Sequence, residues 1–201
     1  MIDNTAMFQL SYGLFVLIAR EGDFDSGCII NTAQQVTDQP LRLTVTVNKA
    51  NHTHDMILRT GKFNLSVIDE SADFDLFKRF GFQSGRDTDK FAGFPKLRTE
   101  NGLVYVEKSC NAVISCKLFH SVDLGTHTMF IVDVTEAKVL CDTPSATYAY
   151  YFAHIKPQPE TKKKKGWVCK ICGYVYEGEE LPADYICPLC KHGAQDFEPL
   201  E

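Results

Sequence analysis

Several classes of protein are excluded by what the sequence lacks. No run approaches the ~18–20 uninterrupted apolar residues of a membrane span. The N-terminus has no basic segment followed by an apolar one, the pattern of a secretory signal, so we expect a cytoplasmic protein without membrane contact. The formal net charge is −5, from 21 basic and 26 acidic residues, which argues against a nucleic-acid partner.

Two nucleotide-binding signatures are also missing. The sequence contains neither Gly-x-Gly-x-x-Gly nor a Walker-type loop, so a dinucleotide-binding Rossmann half is not expected. No internal repeat with a period of 20–50 residues occurs, which excludes solenoids and propellers. With 44% hydrophobic and 23% charged residues over 201 positions, the chain is typical of one large or two small globular domains.

The chain changes character near Ile155, where a proline- and lysine-rich stretch begins. Residues 157–165 contain two prolines and four consecutive lysines, which predict a solvated, semi-extended linker. By count, residues 1–156 carry a net charge of −3 (15 − 18), residues 157–165 one of +3 (4 − 1), and residues 166–201 one of −5 (2 − 7). We therefore expect two acidic domains, 1–156 and 166–201, joined by a basic tether.

The first 156 residues are predicted to be mainly β. Short apolar or alternating runs rich in β-branched residues predict strands, and Gly61 and Gly81 are placed to end two short helices. The expected strands are 14–19, 41–47, 63–68 and a long hairpin of 110–118 with 128–134; the expected helices are 53–60, with Asn51 as N-cap, and 74–80. Many short strands with two small helices favour a closed or partly closed β-barrel.

Eight cysteines are present, and four of them lie close together near the C-terminus. Cys169 and Cys172 are separated by two residues, and fourteen residues later Cys187 and Cys190 repeat that spacing. Two such turns can direct four thiolates at one point, which suits zinc or a single iron. The other four cysteines are expected to be buried free thiols, with Cys110 and Cys116 on one face of their strand; this set is Cys28, Cys110, Cys116 and Cys141.

The C-terminal segment resembles rubredoxin. The resemblance rests on Trp167 before the first cysteine pair, Gly173-Tyr174 after it, Pro188-Leu189 inside the second pair, and Phe197. It implies one iron held by four cysteines that carries single electrons. Two features depart from the family: the span between the pairs is short, and Lys191 stands where glycine is usual. A positive φ there would cost lysine ~1 kcal/mol, and its charge is expected to raise the iron potential. A zinc ribbon with the same spacing remains the alternative.

Residues 1–156 resemble the FMN-binding split-barrel flavin reductases, and the resemblance assigns roles to several segments. It places Asn31, Thr32, Ala33 and Gln34 beside the isoalloxazine ring, and Asn48, Lys49, Thr53 and His54 along the ribityl-phosphate. A helix N-terminus carrying hydroxyl and cationic groups suits a phosphate. An ordinary polar strand end and simple helix capping remain the alternatives for these two segments. The resemblance also implies a homodimer.

Two further segments match the same family. Its Ser-Gly-Arg-Asp-x-x-Lys-Phe pattern supplies Ser84, Arg86 and Lys90 to the flavin, with a solvated loop as the alternative. The Gly125-Thr126-His127-Thr128 turn resembles a family turn whose histidine faces flavin and nicotinamide, so His127 is the candidate catalytic residue, although a structural role is the alternative. Tyr150 is a candidate flavin contact or a core residue.

Taken together, the two resemblances imply an electron-transfer flavoprotein. NADH or NADPH would reduce FMN, and single electrons would pass to the iron and then to an external acceptor. Kinship with fusions in anaerobes implies a flavodiiron protein that reduces oxygen or nitric oxide as that acceptor. The alternatives are a flavin or ferric reductase that releases reduced FMN and keeps a structural zinc ribbon, and a non-enzymatic zinc-ribbon scaffold.

Overall fold

The computed structural model of the protein describes residues 2–157 and 166–200. Seven antiparallel strands form one sheet in the order β2-β1-β5-β6-β7-β4-β3. The strands are β1 Phe15–Glu21, β2 Phe24–Ile30, β3 Ala33–Asp38, β4 Leu41–Asn48, β5 Lys62–Ile68, β6 Cys110–Asp123 and β7 His127–Val139. The two longer helices are α1 His52–Thr60 and α2 Phe74–Gly81. A 3₁₀ turn, Asn4–Gln9, precedes β1, and a short helix after β7, Tyr148–Tyr150, continues as a π-helical turn, Tyr151–Ile155.

The sheet curves back on itself. Four strands separate β2 from β4 in the sheet, yet Cys28 and Ile30 of β2 pack in the same buried cluster as Leu43 and Val45 of β4. Only a strongly curved sheet can bring these two strands together. The prediction of a closed or partly closed barrel is therefore confirmed.

Strand β1 is buried on both faces, which explains its uninterrupted apolar run. Leu17 and Ala19 point into the barrel cluster, whereas Val16 and Ile18 join a second cluster with α2. Successive side chains of a strand point to opposite faces, so a strand covered on both sides needs apolar residues at every position. The second cluster places the C-terminal end of α2 against β2.

The predicted elements occur with small shifts, and the long hairpin of β6 and β7 turns at residues 124–126 as expected. Gly61 ends α1 in the left-handed conformation, with φ 65°, and its N–H donates to the carbonyl of Ile57. Strands β2 and β3 lacked a clear pattern in the sequence. Residues 24–30 alternate poorly because Ser26 and Gly27 are buried beside α2 and the loop that follows it.

The C-terminal module contains three short strands. These are β8 Gly166–Cys169, β9 Val175–Tyr176 and β10 Phe197–Leu200, paired in the order β10-β8-β9, with a 3₁₀ turn at Ala194–Asp196. Phe197 is buried with three of the clustered cysteines, and Trp167 and Tyr174 pack against them, so the module has a small aromatic core. The predicted linker, apart from Pro157, lies outside the described residues.

Two expectations about the scattered cysteines are wrong. Cys141 is exposed, although Cys28, Cys110 and Cys116 are buried as predicted. Cys110 and Cys116 do not share a face: Cys110 belongs to the cluster beneath α2, and Cys116 to the barrel interior. The register of β6 against β5 shifts after Cys110, and a bulge of one residue reverses the alternation of side chains.

No helix in the ranges 2–157 and 166–200 is long and apolar enough to cross a membrane.

Candidate functional site

Four cysteine sulfurs meet at one point in the C-terminal module. The Sγ atoms of Cys169 and Cys190 are 3.5 Å apart, as are those of Cys172 and Cys187, and all four lie within 4.8 Å of one another. A tetrahedral site with metal–sulfur bonds of about 2.3 Å separates its sulfurs by about 3.8 Å. The four residues therefore fit a single metal ion of the kind that rubredoxins or zinc ribbons hold.

Burial makes this site depend on a cation. Loss of hydration raises the pKa of the Cys172 thiol to about 12 and raises that of Cys190 as well. Backbone N–H groups of Leu189 and Cys190 oppose the effect at Cys187 and help to lower its pKa. A bound metal would keep the sulfurs of Cys172 and Cys190 deprotonated at neutral pH, because metal ligation requires the thiolate form.

Lys191 directly follows the last cysteine and adopts φ 62°. The positive φ anticipated for this position is therefore present, and lysine occupies a conformation that glycine adopts without strain. Its backbone N–H donates to the carbonyl oxygen of Cys187 over 2.9 Å, which closes the second cysteine turn.

A cavity of about 490 Å³ lies between the barrel and this cysteine turn. That volume is within the usual range for cofactor sites. Five segments line it: residues 26–28 of β2, Asn48 at the end of β4, residues 50–53 at the start of α1, much of the stretch 81–90 after α2, and residues 188–192 of the C-terminal module.

The first turn of α1 offers donors to an anion in this cavity. Asn51 has the extended conformation of an N-cap but makes no side-chain capping hydrogen bond, so its predicted capping role is fulfilled in position only. The N–H groups at a helix N-terminus and the positive end of the helix dipole favour a phosphate. Thr53, also at the cavity, exchanges a hydrogen bond of 3.0 Å with the buried thiol of Cys28.

A second observation points to a ligand at the same place. The side chain of Ser26 lines the cavity, is 1% exposed, and its Oγ has no hydrogen-bond partner among the described residues. A buried hydroxyl without a partner is costly unless a ligand or water completes it. Gly85 lies directly above it, and a Cβ there would collide with Ser26 Oγ. The space thus requires glycine, and the residues present fit a phosphorylated flavin.

Lys90 is the most buried cation of the cavity wall. It is 4% exposed, and its Nζ donates to the carbonyl oxygens of Gly27 and Phe80 over 2.8 and 3.0 Å. Loss of hydration lowers its pKa, although the nearby Cys28 opposes that shift. Two carbonyl acceptors hold the ammonium group at the boundary between β2 and α2, where it lines the cavity.

Of the residues assigned to the flavin by resemblance, Asn48, Thr53, Ser84 and Lys90 line the cavity. Three others are engaged beside it. Lys49 forms an ion pair of 2.7 Å with Asp123, and the buried ring of His54 lies between Thr128 and Asp55. Arg86 donates to Asp55 and to the carbonyl of Ala50, which ties the loop after α2 to the start of α1. These three side chains therefore do not line the cavity but bind to residues next to it.

The remaining assigned residues lie farther along the barrel. The segment Asn31–Gln34 comprises the turn after β2 and the first two residues of β3, and it does not line the cavity. Thr32 donates to the carbonyl of Thr46. His127 is paired across the strands with Asn48, and its Nδ1 lies 2.9 Å from Thr126 Oγ1. The hydroxyl of Tyr150 donates to the carbonyl of Glu70, and Tyr150 does not line the cavity either.

The contribution of the C-terminal module to the cavity was not foreseen from the sequence. A smaller cavity of about 210 Å³ lies between the same two parts of the chain, lined by Tyr148 and Tyr151 on the barrel side and by Ile171, Cys190 and His192 on the other. Phe82 lines both cavities and packs against both the α2 cluster and the cysteine cluster. No sequence signal pairs residues this far apart in the chain.

Comparisons with known proteins agree with both halves of the architecture. A family model described as "Flavin reductase like domain" matches residues 7–158, and one described as "Rubrerythrin, rubredoxin-like domain" matches residues 167–198. The high molecular weight rubredoxin of Moorella thermoacetica is 35% identical over 229 aligned positions, covering 99% of this chain and 100% of that protein. The ferric-chelate reductase (NAD(P)H) of Archaeoglobus fulgidus is 32% identical over 162 positions, covering 81% and 95%.

Solved structures resemble the barrel. The flavoredoxin of Methanosarcina acetivorans superposes with a TM-score of 0.62 at 20% identity, over 69% of this chain and 74% of that one. An NADH:FAD oxidoreductase of Streptomyces globisporus gives a TM-score of 0.64 at 18% identity, over 73% and 91%. At these identities the likeness concerns the fold alone, and it confirms the expected split β-barrel.

Proposed function

The chain belongs to the flavin reductase-like family and carries a rubredoxin-like domain at its C-terminal end, and from this premise we propose that it is an electron-transfer flavoprotein. FMN would take a hydride from NADH or NADPH, and an iron held by the four cysteines would accept electrons singly and pass them on. The observation that supports the proposal is the shared cavity, because the turn that bears Cys190, one of the four proposed metal ligands, also forms one wall of the proposed flavin pocket.

The barrel residues have distinct roles in this proposal. Lys90 and the N–H groups of α1 would hold the anionic end of FMN, and Ser26 would donate its unpaired hydroxyl. Asn31–Gln34 and His127 would lie along the ring and the nicotinamide, as the family resemblance implies. His127 and Asn48 are cross-strand neighbours, which keeps the proposed nicotinamide residue next to a cavity-lining one.

The metal module would take electrons over a short path. Phe82 packs against both the α2 cluster and the cysteine cluster, and so joins the two parts of the chain between the proposed sites. Residues 157–165 would serve as the tether that lets the module leave the barrel and reach an external acceptor. A flavodiiron protein, a cytoplasmic location and a homodimer complete the proposal and rest on family resemblance. The exposed apolar side chains of Val36, Leu41 and Phe119 are compatible with a subunit interface.

Anaerobic mixing tests the proposal. NADH or NADPH is added to the purified protein, and the flavin and iron absorption bands are followed separately. We expect the flavin to bleach first and the iron to follow at a rate that does not depend on protein concentration. If the flavin bleaches while the iron band persists, the intramolecular circuit is wrong.

A second candidate is supported by one of the relatives. The Archaeoglobus fulgidus protein, 32% identical, is a ferric-chelate reductase. In that alternative, the chain would reduce free flavin or ferric chelates, and the four cysteines would hold zinc. Metal analysis distinguishes the two: zinc in place of iron, together with ferric-chelate reduction, favours the second function.

A further inference from the structure

We infer that the metal module supplies part of the flavin site: Lys191 acts as a cation for the phosphate of FMN, so that metal loading and FMN affinity are coupled. This inference rests on the proposed function and deepens it. It assigns to the cysteine turn a binding role in addition to electron transfer.

The position of Lys191 is the first argument. Residues 188–192 line the same cavity as the N-terminal turn of α1, the buried Ser26 hydroxyl and Lys90. Within that wall, Lys191 is the cation contributed by the metal module. A phosphate is the ligand chemistry that a helix N-terminus, an unpaired hydroxyl and lysine ammonium groups share.

The conformation of Lys191 is the second argument. Of the described residues other than glycine, just Ser109 and Lys191 have positive φ. A lysine side chain is retained at a position where glycine would be unstrained, and strain of this kind tends to occur at functional positions. None of the ion pairs in the described part of the chain involves Lys191, so its charge is available to a ligand.

The coupling follows from how the turn is built. Residues 188 and 189 lie between Cys187 and Cys190, whose Sγ atoms are two of the four that meet at the metal position. Lys191 is bonded directly to Cys190, and its N–H donates to the carbonyl of Cys187. Loss of the metal would release this turn and with it the cation. Coupling between two binding sites is reciprocal, so FMN should also favour the metal-loaded module.

The test compares two ligands that differ by the phosphate. FMN and riboflavin are titrated into flavin-free, metal-loaded full-length protein, and dissociation constants are obtained from flavin fluorescence. Lys191→Ala removes the charge, Lys191→Gly also removes the strain, and Lys191→Arg keeps the charge. Lys170→Gly is the matched control, because Lys170 is exposed in the first cysteine turn and does not line this cavity. The absorption of the metal–thiolate site verifies that each variant is folded.

We expect Lys191→Ala and Lys191→Gly to bind FMN about five- to tenfold more weakly, as for loss of one partly exposed charge-assisted contact. Riboflavin affinity should not change, Lys191→Arg should restore FMN binding, and Lys170→Gly should match the wild type. Removing the metal from the wild type should weaken FMN binding by at least the same factor, and should weaken it less in Lys191→Ala.

Three results would overturn the inference. FMN affinity could be unchanged in Lys191→Ala; FMN and riboflavin could weaken equally; or the affinity for NADH or NADPH alone could fall, which would place the cation on the nicotinamide pyrophosphate. Each leaves the proposed function intact. If the wild type binds neither flavin, the proposed function itself fails.

Discussion

Gly173 and Lys191 occupy equivalent positions in the two cysteine turns. Each follows the second cysteine of its pair, with φ 78° for Gly173 and 62° for Lys191. Each donates its backbone N–H to the carbonyl of the first cysteine, Gly173 to Cys169 over 2.8 Å and Lys191 to Cys187 over 2.9 Å. The two turns therefore share one geometry, yet only the turn that lines the proposed flavin cavity carries a side chain and a charge at this position.

The charge of Lys191 should affect the metal potential. A nearby cation stabilises the more negative reduced iron site, so Lys191→Ala should lower its potential, by up to about 40 mV if the contact is worth about 1 kcal/mol. Lys191→Gly should lower the potential similarly and should also stabilise the module by about 1 kcal/mol, because glycine relieves the strain. Redox titration and denaturation of both variants separate the two effects. An unchanged or higher potential would refute the charge effect.

Phe82 should determine how well the module docks. Phe82→Ala removes apolar contact with the cysteine cluster, worth about 1 kcal/mol or more for a partly buried ring. The rate of electron transfer from flavin to metal should fall about five- to tenfold, and by a larger factor than the rate of flavin reduction by NAD(P)H, because Phe82 contacts the metal module as well as the cavity wall. Stopped-flow absorbance resolves the two steps. Val139→Ala is the control, because Val139 is exposed at the end of β7 and lines neither of the two cavities, and it should alter neither rate. Equal slowing of both steps in Phe82→Ala would contradict the docking role.

Metal removal should unfold the C-terminal module and spare the barrel. The module has too little apolar surface to fold without its metal. The sequence contains a single tryptophan, Trp167, which packs on the cysteine cluster and reports on this module alone. After chelation we expect a red shift of its fluorescence and retention of the β signal in circular dichroism. Adding Fe²⁺ or Zn²⁺ should reverse the shift. Loss of both signals together would show that the two parts fold as one unit.

His52 should make the barrel less stable in acid. Burial lowers the pKa of His52, and the neighbouring Arg86 and Arg59 lower it further. The unfolded chain therefore binds a proton near pH 6.5 before the folded chain does, and stability is lost as the pH falls below that value. His52→Gln removes the proton-binding group that causes this loss. The stability of the variant relative to the wild type should therefore be higher at pH 5 than at pH 7.5. Urea unfolding of flavin-free protein at both pH values measures the difference. A difference that is equal at the two pH values would contradict the prediction.

Gly85 and Ser26 should behave as a coupled pair. Gly85→Ala places a Cβ against Ser26 Oγ, whereas Ser26 Cβ would remain 3.5 Å away, an ordinary contact. The single variant should be destabilised by about 1–3 kcal/mol through overpacking. Adding Ser26→Ala should restore most of that loss, because it removes the colliding oxygen. Thermal unfolding of both single variants and the double variant gives the coupling energy. Additive effects would show that the loop moves away instead.

Much of the fold is visible in the local pattern of residues. The runs that became β1, β4, β5 and the β6–β7 hairpin were predicted because alternation and β-branching are local properties. The second strand does not show in the sequence because close packing keeps two of its residues small, Gly27 against Phe80 of α2 and Ser26 against Gly85. The faces of Cys110 and Cys116 were misjudged because a bulge next to Cys110 depends on pairing with β5 and leaves no local sequence mark.

The candidate sites divide in the same way. Four sulfurs within a span of 22 residues identify a metal site from spacing alone, since two short turns must bring them together. The proposed flavin site is different, because three residues that line its cavity, Ser26, Lys90 and Lys191, come from distant parts of the chain. Resemblance to a family identified Lys90, but nothing in the sequence placed Ser26 or Lys191 in the cavity.

The sequence by itself determined that this protein has an acidic, mainly β domain and a four-cysteine metal module, because strand periodicity and ligand spacing are patterns of residues close together in the chain. Only the tertiary structure decided that the two parts share a cavity. The shared cavity depends on Phe82, which packs against both clusters, and on the left-handed turn at Lys191. Contacts between residues more than 80 positions apart leave no mark in the local sequence.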